Sequence, residues 1–299
     1  MRIIRYINNQ KQKQLAAVGN GNKVYDLPFE DFMSLVQQAN EQGQTALQVV
    51  SDIVVKSKDV LELEQVTLTT PIDAPEVWAA GVTYEKSKDA RNYEATQGKL
   101  DSQTFYDKVY DAERPEIFFK STAARTVGPD DPVYLRSDSN WQIPEPELGL
   151  VLDSDGTILG YIAGNDMSCR DIEGENPLYL PQAKMWKNSC AIGPAILLKD
   201  AVENPYDLTI ICRIFRNDEK VFEGEAKVNQ LKRKLDELVS YLVLDNEVFA
   251  GTVLLTGTCI VPPNDFTLTD NDRIEIEIPG IGVLNNPVKV QEKIEVEVH

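Results

Sequence analysis

Between Ile143 and Asp166 two apolar runs flank one polar break, and no other stretch limits the fold so tightly. The first run, Ile143-Pro-Glu-Pro-Glu-Leu-Gly-Leu-Val-Leu-Asp153, reads as a β-strand. Asp153-Ser-Asp-Gly156 carries turn chemistry, and Thr157 to Ala163 reads as the strand returning beside it. Side chains alternate faces along a strand, so Glu145 and Glu147 leave the same face. With a two-residue loop, at Ser154-Asp155 or at Asp155-Gly156, Glu145 lies opposite Gly164 or Asp166. Either register brings Asp166 to the face of both glutamates, whereas a three-residue loop would reverse the relation. Carboxylates gathered this way repel unless a cation joins them. An all-oxygen set suits Mg²⁺, with Mn²⁺ or Ca²⁺ as alternatives, better than zinc. The competing reading is a solvated glutamate face on an edge strand. Pro144 and Pro146 suggest it, because proline donates nothing to a ladder.

The rest of the chain frames this hairpin. Residues 1–70 read as a small N-terminal α+β unit, with strands at Ile3 to Tyr6, Leu15 to Val18 and Lys23 to Leu27. Phe32, Leu35, Val36 and Ala39 follow at helical spacing. Residues 71–299 form the second, catalytic unit. It is rich in strands, with a hairpin turning at Asn217-Asp218 and an amphipathic helix carrying Leu231, Leu235, Leu238, Val239, Leu242 and Val243. Tyr84 to Arg114 is polar and weakly helical, and reads as a lid over the core. The expected fold is mainly β (α+β).

A net charge of −18 over 299 residues excludes nucleic acid and anionic membranes as partners. No apolar run reaches the roughly 18 residues of a membrane span. The start, Met-Arg-Ile-Ile-Arg-Tyr, turns polar too soon for a secretory signal, which points to the cytoplasm. Cys169, Cys190, Cys212 and Cys259 show no CxxC spacing and read as buried free thiols. Against the acidic background, Lys120, Arg125, Arg170, Lys184 and Lys187 lie close in sequence to the carboxylates. Such a local basic pocket suits a small anionic substrate.

Six motifs occur in order: Pro115-Glu-Ile-Phe-Phe-Lys120, Pro144-Glu-Pro-Glu-Leu-Gly149, Gly164-Asn-Asp-Met-Ser-Cys-Arg-Asp171, Lys184 followed by Gly193-Pro194, Leu255-Thr-Gly-Thr258 and Gly280-Ile-Gly-Val-Leu-Asn285. The series resembles the fumarylacetoacetate hydrolase family. The resemblance implies a mixed β-roll, a homodimer or homotetramer, and a divalent metal, usually magnesium, on Glu145, Glu147 and Asp166. It also implies a lysine, Lys184, beside the substrate's oxyanionic groups and a substrate-contacting threonine, Thr256.

The chain departs from the family's hydrolases where they carry a His and a Glu. The matching stretch, Gly81-Val-Thr-Tyr-Glu-Lys-Ser-Lys-Asp-Ala90, has Ser87 and Ala90, and the one histidine is His299. Without that base, water attack on a ketone loses to dehydration. One branch of the family turns 2-keto-3-deoxy-arabinonate into 2,5-dioxopentanoate and water. The resemblance is closest there, through Arg114-Pro-Glu-Ile-Phe-Phe-Lys-Ser121 and Arg125-Thr-Val-Gly-Pro129. The expected activity is therefore a metal-dependent dehydratase of a 2-keto-3-deoxy sugar acid. Lys184, its pKa lowered by a nearby metal and partial burial, shares the proton transfers with a pocket carboxylate, Glu145. Lys120, Ser87 and Arg91 are candidate substrate contacts, set against a solvated strand end for Lys120 and a polar surface helix for the other two. Arg170 and Asp171 are expected to pair behind Asp166, and Trp186 to serve packing. The alternatives are a carbon–carbon hydrolase or decarboxylase of a 2,4-diketo acid such as an acylpyruvate, and a non-catalytic binding protein that keeps the fold.

Overall fold

A computed structural model describes residues 1–58, 60–96 and 105–290. The chain opens with three antiparallel strands, β1 (Arg2–Ile7), β2 (Lys13–Val18) and β3 (Lys23–Asp26). Helix α1 (Phe32–Glu41) starts where Asp31 accepts from the Ser34 N–H and the Ser34 hydroxyl answers the Asp31 N–H. It buries the stripe Phe32, Leu35, Val36 and Ala39 that the spacing predicts. Helix α2 (Ala46–Lys56), capped by Thr45, follows, and then β4 (Leu61–Glu62) and β5 (Thr67–Thr69).

Next come β6 (Val77–Gly81), α3 (Glu85–Thr96), α4 (Phe105–Asp111), β7 (Glu116–Ser121), β8 (Thr126–Val127), β9 (Val133–Leu135) and β10 (Gln142–Ile143). The central hairpin is β11 (Pro146–Leu152) and β12 (Ile158–Asp166); β13 (Ser168–Cys169), α5 (Arg170–Glu175) and α6 (Leu180–Lys184) lead from it to β14 (Cys190–Leu198). The chain ends in β15 (Thr209–Arg216), β16 (Glu219–Lys227), α7 (Leu235–Val243), β17 (Val253–Thr258), β18 (Arg273–Ile278) and β19 (Gly282–Val290). Helix α7 buries Leu235, Leu238, Val239 and Leu242, while Leu231, placed on that stripe by its spacing, lies ahead of the helix. The β15–β16 hairpin turns at Asn217 and Asp218, both at positive φ, as a two-residue type I′ turn requires. The expected lid becomes α3 and α4, its residues 97–104 lying outside the described ones.

One mixed sheet of twelve strands runs β4-β3-β2-β1-β14-β12-β11-β17-β6-β7, with β5 on β1 and β8 on β14. A second sheet, β16-β15-β18-β19-β9, packs over its middle. Leu148, Leu150 and Leu152 of β11 face that second sheet, in a core with Ile210, Cys212 and Ile214 of β15. Val151 of the same strand points the other way, into a core with Ile3, Leu15, Phe32 and Leu35. A strand covered on both faces reads as an unbroken apolar run, which is how β11 looks in sequence. The first 70 residues thus continue the sheet of the rest, through the β1–β14 pairing.

The hairpin departs from expectation in two places, and the departures cancel. Its loop has three residues, Ser154 to Gly156: Asp153 donates its N–H to Thr157 O at 2.9 Å, and Gly156 takes φ +83°. That length alone would turn Asp166 away from the glutamates. A bulge intervenes, because Leu152 pairs with Ile158 while Val151 pairs with Gly160. Beyond it Glu147 faces Gly164, and the Asp166 N–H reaches Glu145 O at 2.9 Å. The edge-strand reading is also corrected: β11 lies between β12 and β17, and Pro146 is tolerated as its first residue.

Because α1 packs on the same core as the hairpin, Phe32→Ala should cost about 3–5 kcal/mol. Urea midpoints followed by far-UV circular dichroism and by tryptophan fluorescence should fall together. Early loss of the N-terminal signal alone would mean that the first 70 residues unfold separately.

Candidate active site

The carboxylates at the head of the hairpin are buried: Glu145, Glu147 and Asp166 are 3%, 1% and 1% exposed. That removes the solvated-face reading. Each offers an oxygen within 4.8 Å of the others. Lys184, at the end of α6 and 0% exposed, donates Nζ to Glu145 Oε2 at 2.5 Å and to Asp166 Oδ2 at 3.0 Å. Lys120 lies behind Asp166 with Nζ 2.6 Å from Oδ1, and donates to the carbonyls of Met167 at 2.9 Å and Lys184 at 2.5 Å. The approach to Asp166 Oδ1 is too bent for a hydrogen bond, so this buried oxygen has a cation nearby but no aligned donor. Two guanidinium groups approach Glu145 Oε1, Arg170 at 3.7 Å and Arg91 at 4.0 Å. On the far side the Gly257 N–H reaches Glu147 Oε2 at 2.6 Å. Gly257 sits at φ +97°, and a Cβ there would come within 1.9 Å of Thr83 Oγ1, so only glycine lets β17 turn that N–H inward.

This burial sorts the ionisable groups. Burial pushes Glu145 up, but Lys184, Arg91 and Arg170 outweigh it and hold the carboxyl at about 2. Glu147 has burial together with Asp166 and Glu145 against it and is driven well above the ordinary carboxylate range. Burial also pushes Lys184 down, yet Asp166 and Glu145 prevail and raise it. The lowered lysine pKa expected from sequence presupposes a bound metal; without one Lys184 is raised, and Glu145 is held ionised. The residues fit a divalent metal. The donor set is all oxygen, Asp166 Oδ1 lacks an aligned donor, and burial together with two like charges pushes one carboxyl of the trio, Glu147, up.

The other expected residues divide. Ser87 and Arg91 line a small cavity of about 10 Å³ with the three carboxylates, Arg170 and Thr258. Ser87 Oγ also donates to Tyr84 O at 2.8 Å, capping the start of α3. Lys120 is 1% exposed, so its solvated-end reading fails, and it grips Asp166. Thr256 is not at the cavity wall: its hydroxyl donates to Leu148 O at 2.9 Å, and Thr258 takes the lining position. Arg170 turns to Glu145, whereas Asp171 accepts from the Ser139 hydroxyl at 2.6 Å and the Asn140 N–H at 2.7 Å. The two serve different neighbours in place of the expected pair. Trp186 packs and donates Nε1 to Tyr134 O at 2.7 Å. The four cysteines are free and buried, and His299 lies outside the described residues.

Two glutamates escaped the sequence reading. Glu116 on β7 is raised by burial, and its Oε2 is enclosed without a hydrogen-bond partner. Its signal was present, since Glu116, Phe118 and Lys120 alternate onto one face of β7. Glu173, 1% exposed on α5, pairs with Arg91 and accepts from Ser168 Oγ at 3.0 Å. Its signal was the i,i+3 spacing from Arg170.

Comparison with known proteins places this site among relatives. Residues 87–289 match the family described as "Fumarylacetoacetate (FAA) hydrolase C-terminal". The 2-dehydro-3-deoxy-D-arabinonate dehydratase of Saccharolobus solfataricus is 48% identical over 233 residues, covering 78% of each chain. A structure of 2-keto-3-deoxy-D-arabinonate dehydratase complexed with magnesium and 2,5-dioxopentanoate superposes with a TM-score of 0.82 at 38% identity, over 98% of this chain and 100% of that one. A 5-carboxymethyl-2-hydroxymuconate delta-isomerase from Mycobacterium smegmatis has a TM-score of 0.68 at 23% identity, over 98% and 100%, and shares the fold.

Mg²⁺ must displace the Glu147 proton to use that carboxylate. Binding should then release the Glu147 proton, together with the one that Lys184 gives up, and weaken as pH falls. Calorimetry in buffers of different ionisation enthalpy measures both, and Glu147→Gln should release one proton fewer and bind more weakly. Affinity independent of pH would remove Glu147 from the ligand set.

Proposed function

The chain belongs to the fumarylacetoacetate hydrolase family, and from that premise we propose that it is a magnesium-dependent dehydratase of 2-keto-3-deoxy sugar acids, converting 2-dehydro-3-deoxy-arabinonate to 2,5-dioxopentanoate and water. In class it is a hydro-lyase. The observation that carries the reading is the buried Glu145–Glu147–Asp166 cluster joined to Lys184, with no histidine among the described residues. Glu145, Glu147 and Asp166 would hold the metal, which when bound supplies Lewis-acid polarisation of the 2-keto oxygen and so acidifies the protons on C3.

The chain's own groups then move the protons. With Glu145 and Asp166 committed to a divalent cation, the burial that pushes Lys184 down is no longer outweighed, and the neutral amine accepts a C3 proton. Glu116, its pKa raised by burial, donates to the C4 hydroxyl, which leaves as water. The ionised Glu116 takes a proton from C5, the Lys184 ammonium returns one to C3, and the resulting enol ketonises to the C5 aldehyde. Lys184 and Glu116 end in their starting states, so only water is lost. Lys120 positions Asp166, while Ser87, Arg91 and Arg170 contact the substrate. Four cationic side chains around the carboxylates explain how a chain of net charge −18 attracts a monoanionic acid. No described helix is long and apolar enough to cross a membrane. A cytoplasmic homodimer or homotetramer, with a division near residue 70, completes the proposal.

The test is product analysis by NMR in D₂O with chelator-stripped protein, added Mg²⁺ and 2-keto-3-deoxy-arabinonate. Intact five-carbon 2,5-dioxopentanoate, a 2-keto acid with a C5 aldehyde, carrying solvent deuterium at C3 and C4, is expected only with metal. Glu116→Gln should lower kcat roughly 10²–10⁴-fold while leaving Mg²⁺ affinity nearly unchanged. Cleavage of an acylpyruvate in place of dehydration would make the protein a hydrolase.

A further inference from the structure

We propose that the open cavity beside Arg170 is the subsite for the terminal C5 hydroxyl of the sugar acid, an inference that rests on the dehydratase reading. The inner cavity at the carboxylates measures about 10 Å³. On this measure a single water needs about 10–15 Å³, so a five-carbon acid does not lie wholly inside the cavity as it stands. Arg170 lines this cavity and also bounds a second one of about 630 Å³, within the size range of small-molecule sites. Arg170, 2% exposed, is the residue that the two cavities share. With the carboxylate and keto group directed to the Glu145–Glu147–Asp166 cluster and C4 at Glu116, the terminal hydroxyl is the group that reaches past Arg170.

The outer wall has the chemistry of polyol recognition. Tyr93 and Trp141 supply aromatic surface, and Asn264 and Glu175 supply amide and carboxylate oxygens. The Trp141 Nε1–H is a buried donor without an acceptor, on a residue that lines this cavity. The Trp141 backbone is tied to Arg170, whose N–H donates to Trp141 O at 2.8 Å. Asp171 is already engaged by Ser139 and Asn140, and Arg170 is the one cation on this wall among the described residues. A neutral hydroxylated end suits such a wall better than a second anionic group.

Trp141→Phe keeps the ring and removes the N–H; Asn264→Ala, at an exposed position, serves as the second variant. Each is assayed with 2-keto-3-deoxy-arabinonate and with 4-hydroxy-2-oxopentanoate, which lacks the terminal hydroxyl. For the full substrate kcat/KM should fall about tenfold, mostly through KM, and for the analogue less than about twofold, as loss of one hydrogen bond to that hydroxyl predicts. Product binding should also change tryptophan fluorescence in the wild type and not in Trp141→Phe. Equal losses on both substrates, or no loss in either variant, would overturn the subsite while leaving the dehydratase reading intact. Failure of the wild type to dehydrate either acid would remove both.

Discussion

Everything around this site depends on gathering like charges where water cannot separate them. Buried carboxylates are tolerated only when cations and hydrogen bonds compensate them. Here the compensation is divided among several elements. Lys184 comes from the end of α6, Lys120 from β7, Arg91 from α3 and Arg170 from α5. No single segment could supply it, so the helices between β12 and β14 and the excursion between β6 and β7 are tied to the head of one hairpin. The arrangement is asymmetric: Glu145 carries most of the positive charge, whereas Glu147 has one backbone N–H and two repelling neighbours. A doubly charged ion resolves that imbalance, which is how a stable fold can hold a site that is electrostatically incomplete.

Sequence made much of this legible because the strongest signals are local. Alternation placed Glu145 and Glu147 on one face, helical spacing found α1 and α7, and Asn217-Asp218 marked a turn. The residues missed or misplaced depend on contacts distant in sequence. Thr256 and Thr258 share a motif, and only the twist at Gly257 determines which one meets the cavity. Lys120 ends a strand and resembles a solvated lysine until two carbonyls and Asp166 close around it. Glu173 has meaning only once α3 brings Arg91 across to it. In each case the deciding neighbour is set by tertiary packing, which spacing along the chain does not encode.

The same scaffold serves an isomerase at 23% identity, so the sheet and its buried strands do not select the reaction. What separates such proteins lies in the side chains brought up to the metal-binding face. In this chain Ser87 and Ala90 stand where family hydrolases carry their His and Glu. In the proposed reaction Glu116, on the neighbouring strand and raised by burial, takes the acid role in place of a water-activating base.

The central hairpin shows a constraint of a different kind, one of parity. Its loop carries one residue more than a tight turn and its returning strand carries one bulged residue, and the two shifts cancel. Whether Asp166 meets the glutamates is therefore decided by whether the number of extra residues between Leu152 and Gly160 is even or odd. Insertions or deletions there can survive in pairs and not singly, although the loop itself is exposed and far from the chemistry. For this segment, length carries functional information that the identity of the loop residues does not.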